Sequence, residues 1–246
     1  MTRRYGKAPF RAAAIHGGPG AVGSAGGLAE GLAVSASCGV LEPFQSKETI
    51  PELEAELEKQ LAAEAAAPVA LIGHSWGAWL AALFAAEHPE RVSKLILVSS
   101  GPLHSRYVPQ IGERRLARLD GRRRERFQAL LAEFGALCTA SDVYAPADPP
   151  CPEPPSHCDG RMYARVWAEA AALRESGELL RRFSALRIPV TVIHGEADPH
   201  PPEGVAEPLR EAGVSFSFRL LPRCGHTPWR EQYAREPFFD LLAREL

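Results

Sequence analysis

The sequence predicts an α/β protein: a mainly parallel sheet of about six strands with helices on both faces, interrupted by a helical insertion. Three observations carry that expectation. Short apolar runs alternate with stretches of helical periodicity along much of the 246 residues, the pattern of a parallel sheet covered on both sides. The alternation stops between about Leu103 and Leu186, where two helical patterns flank the Pro-rich "APADPPCPEPPSHCDG" and no good strand is found. Short motifs rich in Gly, His, Ser and Asp directly follow several of the strand-like runs, at the sheet edge where such folds bind ligands.

Taken in order, the strands fall at Arg11 to Ile15, Cys38 to Leu41, Val69 to Ile72, Leu95 to Val98, Val190 to Ile193 and Phe216 to Leu220. Helices are expected near 24 to 33, 50 to 66, 76 to 87, 203 to 212 and 236 to 245, with those of the insertion near 111 to 137 and 160 to 184. Residues 1–102 and 187–246 then form the core, and 103–186 a helical cap inserted over the strand ends. All six strands are expected to be parallel, with the Cys38 to Leu41 strand at one edge.

Bulk properties narrow the class of function. The net charge is −2 and the pI about 6.5, which gives no electrostatic case for a nucleic-acid or membrane partner. The charge run "GRRRERF" at 121 to 127, with Glu125 among its arginines, reads as a solvated helix face. No apolar stretch has the length of a signal h-region or a membrane span, so a soluble, cytoplasmic protein is expected. Cys38, Cys138, Cys151, Cys158 and Cys224 are odd in number and irregularly spaced, which fits reduced thiols better than a disulfide framework. Cys151, His157 and Cys158 lack a second ligand pair at zinc-site spacing.

The most informative stretch is "GHSWG" at 73 to 77. A β-branched-rich run ending at Ile72 meets the helical pattern of Trp79, Leu80, Leu83 and Phe84, so Ser75 sits on a strand-to-helix turn. Glycines two residues to either side leave room for a strained turn that lifts the hydroxyl clear of the sheet. A helix N-terminus there favours a developing anion. A serine needs a base, and the base needs an orienting partner. Asp198, in "HGEADP" after one strand, and His226, in "CGHTPW" after the last, leave the same sheet edge. Glu196 lies close enough to Asp198 to be considered in its place.

The motifs "HGGPG" at 16 to 20, "GHSWG", "HGEADP" and "CGHTPW", each following an expected strand in the order Ser75, Asp198, His226, resemble those of the α/β-hydrolase family over nearly the whole chain. The resemblance implies a serine hydrolase: Ser75 as nucleophile, His226 as general base, Asp198 as its partner, and the backbone N–H groups of Gly18 and Trp76 as the oxyanion hole. It implies no metal or organic cofactor, and a small-molecule or short-peptide partner. The family usually has an antiparallel hairpin before the first of these strands, but only about ten residues precede Arg11 here, so the hairpin is expected to be missing and the sheet parallel throughout. His194 and His200 bracket Asp198 and could suggest a metal, but the intact triad makes ordinary loop roles the expectation for them. His16 and His74 read as loop-organising hydrogen bonders, and Trp76 and Trp79 as packing residues.

The substrate class is left open by the residues. A small ester or amide is one reading. The "HGGPG" and Ser-Trp-Gly combination resembles proline iminopeptidases, whose cap carboxylates hold a free amine; candidates here are Glu133 and Glu169. Tyr163, Trp167 and Glu169 could line a substrate wall, or the aromatic pair could merely pack at i,i+4. Relatives that bind ligands without turnover, or run lyase chemistry, form a third reading; loss of a triad member would mark the binding type, and none is lost.

Overall fold

The computed structural model describes residues 1–118, 121, 142–150 and 153–246. Its strands are β1 (Thr2–Tyr5), β2 (Phe10–Ile15), β3 (Ala21–Val22), β4 (Gly39–Pro43), β5 (Ala65–His74), β6 (Val92–Val98), β7 (His157–Cys158), β8 (Val190–Gly195) and β9 (Ser217–Leu221). The helices are α1 (Gly26–Ser35), α2 (Ile50–Glu64), α3 (Trp76–Glu87), α4 (Val108–Arg118), α5 (Gly160–Glu175), α6 (Glu178–Phe183), α7 (Glu203–Glu211) and α8 (Arg235–Glu245). Seven strands form one sheet in the order β1-β4-β2-β5-β6-β8-β9. All neighbours are parallel except β1 with β4.

All six expected strands are present, and the sheet is mainly parallel. The expectation of an all-parallel sheet with the Cys38 to Leu41 strand at its edge is corrected by β1, which pairs antiparallel along β4 from Thr2 opposite Pro43 to Tyr5 opposite Val40. No hairpin joins β1 to β2, because β4 lies between them. "TRRY" gives no hydrophobic signal because it is a partly exposed edge strand, where charged side chains are common. It is anchored by Tyr5, whose hydroxyl donates to the buried Glu42 at 2.9 Å.

Strand side chains alternate between two apolar layers, as a period of two requires. Ala13, Ile15, Val69, Leu71, Leu95, Leu97 and Val192 pack on the side of α2, α3, α5, α6 and α7. Ala12, Ala14, Ala70, Ile72, Ile96, Val98 and Ile193 face α1 and α8. Helix α3 touches the sheet, α2 and α6, so it is apolar around most of its circumference rather than on one stripe.

Between β6 and β8 the described chain carries α4, α5 and α6. The single helix expected near 160 to 184 is divided at Gly177, whose φ of +77° starts the next helix from a left-handed turn. Of the helix expected near 111 to 137, α4 covers the beginning; Glu133, Cys138, Cys151 and most of the 121 to 127 charge run lie outside the described residues. Strand β7 pairs antiparallel with β3, and the Asp159 N–H donates to Gly20 O at 3.0 Å. That short ribbon ties the start of α5 to the loop after β2. Among the described residues no helix is long and apolar enough to cross a membrane.

Candidate active site

Ser75 occupies the turn between β5 and α3 at φ +54°, ψ −118°, a conformation that costs a non-glycine residue about 1–3 kcal/mol. The surrounding packing leaves no alternative to glycine on either side. A Cβ on Gly73 would lie 2.3 Å from Gly77 O, and one on Gly77 would lie 2.2 Å from Ile15 O. The two glycines let the turn, the start of α3 and the end of β2 interlock. The Ser75 N–H donates to Val98 O at 3.0 Å, which fixes the turn against β6.

Beside it runs the loop after β2. Gly18 adopts φ +52°, and a Cβ on Gly17 would come within 2.8 Å of His74 Nδ1 and 3.1 Å of Ser75 Cβ. Gln45 braces this loop: its N–H donates to His16 Nε2 at 3.3 Å, its amide donates to His16 O at 3.1 Å, and its carbonyl accepts Trp76 Nε1–H at 2.9 Å. Burial pushes the His16 imidazole down to about 4, so it is neutral at neutral pH and accepts the Gln45 bond.

Asp198 leaves β8 and His226 leaves β9, and they meet at the same edge. His226 Nδ1–H donates to Asp198 Oδ2 at 2.9 Å. Burial disfavours the His226 imidazolium, but the Asp198 carboxylate outweighs it and raises the pKa above the ordinary value. Burial likewise pushes the Asp198 carboxyl up; the imidazoles of His226, His194 and His200 overcome this and hold it well below the usual carboxylate range. Glu196 is elsewhere, accepting the exposed Arg223 N–H at 3.3 Å. Gly17, Gly18, His74, Ser75, Asp142 and His226 all line one cleft of about 210 Å³. The fold thus brings together Ser75, Gly18 and His226 at a shared opening, with Asp198 behind the imidazole.

The alpha/beta hydrolase family model matches residues 15–240. The chain belongs to that family. Known structures share the α/β-hydrolase fold over the full length. VinJ superposes with a TM-score of 0.71 at 18% identity, covering 99% of this chain and 93% of that one. A proline iminopeptidase from Mycobacterium smegmatis gives 0.66 at 17%, covering 99% and 93%. A monoacylglycerol lipase from Paleococcus ferrophilus gives 0.65 at 17%, covering 100% and 97%. No curated protein sequence matches. Membership of the α/β-hydrolase family supports hydrolase activity.

The other expected substrate residues, Tyr163, Trp167 and Glu169, make their described contacts within the helices. Glu169 Oε2 accepts the Ile50 N–H at 2.8 Å, satisfying a free donor at the start of α2. Trp167 stacks on Trp79 with centroids 5.8 Å apart and on Tyr163 at 6.1 Å. The aromatic pair therefore packs along α5 and against α3, and none of the three lines the cleft among the described residues.

Two residues near the site, Glu231 and Asp142, had no sequence signal as site residues. Glu231 is fully buried and accepts the N–H groups of Gly225, Tyr144 and Ala145 at 2.9, 2.9 and 2.8 Å. Asp142 lines the cleft, its carbonyl accepts the His226 N–H at 2.7 Å, and its carboxylate takes a two-pronged bond from Arg115 at 2.8 Å on each arm. Apart from Gly225, six residues before Glu231, their side-chain partners lie far away in sequence, and no local spacing announces them. His200, read as an ordinary loop residue, instead bonds Asp198 Oδ1 through Nδ1–H at 3.0 Å and through its backbone N–H at 2.8 Å. The loop-organising expectation for His74 matches its bond from Nε2–H to His226 O at 2.9 Å.

Proposed function

We propose that this α/β-hydrolase cleaves a small ester or amide by acyl transfer through Ser75. In the first half-reaction Ser75 Oγ attacks the substrate carbonyl carbon while His226 Nε2 takes the hydroxyl proton. Asp198 holds the Nδ1–H tautomer and stabilises the imidazolium that forms. The negative charge on the carbonyl oxygen falls to the N–H groups of Gly18 and Trp76; the latter, in the first turn of α3, has no acceptor within its helix. As the tetrahedral intermediate collapses, His226 returns its proton to the departing alcohol or amine. Water, deprotonated by the same imidazole, then releases the acid and restores the serine hydroxyl.

The observation that carries this reading is the His226–Asp198 bond behind a cleft that Ser75 enters from a left-handed turn. An ester is favoured over a peptide with a free amine because Glu169 is engaged at the start of α2. The fold neighbours include both a lipase and an iminopeptidase, so the likeness alone does not choose. Residues 103–186 act in this account as a cap that selects the acyl and leaving groups, joined to the loop after β2 by the β3–β7 ribbon. The test is hydrolysis of p-nitrophenyl esters, anilides and aminoacyl anilides by the purified chain and its Ser75→Ala variant. Ester turnover lost in the variant supports the reading; equal turnover by both proteins rejects it.

A further inference from the structure

One carboxylate hydrogen-bonds two imidazoles at this site, with a third, His194 Nε2, 3.4 Å from its Oδ2. Asp198 Oδ2 receives Nδ1–H of His226 at 2.9 Å, while Oδ1 receives Nδ1–H of His200 at 3.0 Å. The rings lie face to face, with centroids 4.3 Å apart and an interplanar angle of 27°. Acyl transfer requires only the first imidazole. We infer that Asp198, His200 and His226 also form a binding site for a divalent transition-metal ion, zinc above all, and that filling it switches the hydrolase off. The second half of this inference rests on the acyl-transfer reading; the first does not.

The donor set fits zinc. Two imidazoles and a carboxylate, with a fourth position left for water, match the ligand types that zinc takes in three-ligand protein sites. One ligand atom from each residue lies within 4.8 Å of the others. Tetrahedral coordination at 2.0–2.1 Å needs ligand spacings of about 3.4 Å, so side-chain adjustment on the order of 1 Å suffices. The imidazoles keep side-chain exposures of 12% for His200 and 10% for His226 beside a buried Asp198, so an ion would reach the ligand atoms past the two rings. Behind them the shell is polar. His194 is fully buried, its Nε2–H donates to His200 O at 2.9 Å, and its Nδ1 has no partner among the described residues.

Charge and protons balance simply. Each neutral imidazole moves its proton from Nδ1 to Nε2 through solvent, and the two Nδ1 lone pairs and one Asp198 oxygen turn to the cation. No proton is gained or lost by the protein. His226 Nε2 then carries a hydrogen and cannot accept the Ser75 proton, and Asp198 no longer orients it. Magnesium and calcium, which prefer oxygen ligands, should not substitute.

The experiment starts from chelator-treated, full-length protein. Equilibrium dialysis against zinc chloride should yield one zinc per chain, cobalt(II) should give a visible absorption band that zinc bleaches, and magnesium should have no effect. In wild-type protein, zinc should perturb the ring-proton resonances of His200 and His226 together. His200→Gln should weaken zinc binding by more than the roughly 10–100-fold lost with a mere outer partner, whereas Ser75→Ala should bind zinc normally. Zinc should abolish ester turnover reversibly in wild type and spare His200→Gln relative to that variant's own zinc-free rate. No bound zinc, resonances of His200 and His226 unmoved by it, binding unchanged in His200→Gln, or zinc activation would overturn the inference. Should the chain have no ester activity at all, dialysis, cobalt absorption and resonance shifts still decide the metal site, and only the acyl-transfer reading falls.

Discussion

The buried Glu231 carboxylate accepts the N–H of Gly225 at 2.9 Å, one residue before His226. Its other two bonds, to Tyr144 and Ala145, run to a segment within the 103–186 insertion, so one side chain couples that segment to the loop bearing the imidazole. Glu231→Ala strands three donors, each costing about 1–3 kcal/mol if it stays buried without a partner. Glu231→Gln keeps a carbonyl acceptor but turns an amide toward one N–H. Melting temperatures should fall in the order wild type, Gln, Ala, and turnover should fall in the same order at a temperature where all three are folded.

Glycine at the elbow is a steric requirement, and this gives a paired prediction. Gly77→Ala puts a Cβ 2.2 Å from the Ile15 carbonyl, where only backbone is available to move. A Cβ added at Gly112, inside α4, would meet nothing within 4 Å. Thermal denaturation should show Gly77→Ala severely destabilised, and Gly112→Ala equal to wild type or stabilised by up to about 1 kcal/mol through helix propensity.

The base sets the pH dependence. His226 must be neutral to take the Ser75 proton, and Asp198 raises its pKa above the ordinary value despite burial. Turnover of the metal-free protein should therefore rise with pH through an apparent pKa above about 6.5, the value of an unperturbed imidazole. In Asp198→Asn the raising influence is gone and burial remains, so the His226 ring-proton titration should move to lower pH. Turnover should fall steeply in that variant and little in Glu196→Gln. An unshifted His226 titration in Asp198→Asn would contradict the pairing.

Glu169 supplies a test of the reassigned α5 residues. Its bond to the Ile50 N–H predicts that Glu169→Ala lowers stability by about 0.5–2 kcal/mol, as loss of a helix cap does, and that Glu169→Gln, which keeps a carbonyl acceptor, lowers it less. The ratio of kcat/KM for amine-bearing and neutral substrates should stay constant. Selective loss on amine-bearing substrates would restore Glu169 to the substrate site.

The interior strands were legible because they are buried on both faces for most of their length and read as compact apolar runs such as Val69 to Ile72; β9, a partly exposed edge strand, was legible from the run Phe216 to Leu220. Ser75, Asp198 and His226 were legible because each directly follows such a run, and the fold then brings them together. Residues whose role depends on distant partners were not. Thr2 to Tyr5 become a strand only because β4 offers a free edge; Glu231 matters only because Tyr144 and Gly225 converge on it. Tyr163, Trp167 and Glu169 share one stretch of helix, which says nothing about the neighbours that meet them: Trp79 on α3 and Ile50 on α2.

The central claim is that Ser75 is a nucleophile activated by His226. Incubation with a fluorophosphonate, followed by intact-mass measurement and peptide mapping, tests it most directly. The account predicts a single adduct on Ser75, absent from Ser75→Ala and formed at least about a thousandfold more slowly in His226→Ala, the scale of losing a triad member. Labelling at another residue, or of Ser75 at an undiminished rate in His226→Ala, would contradict it.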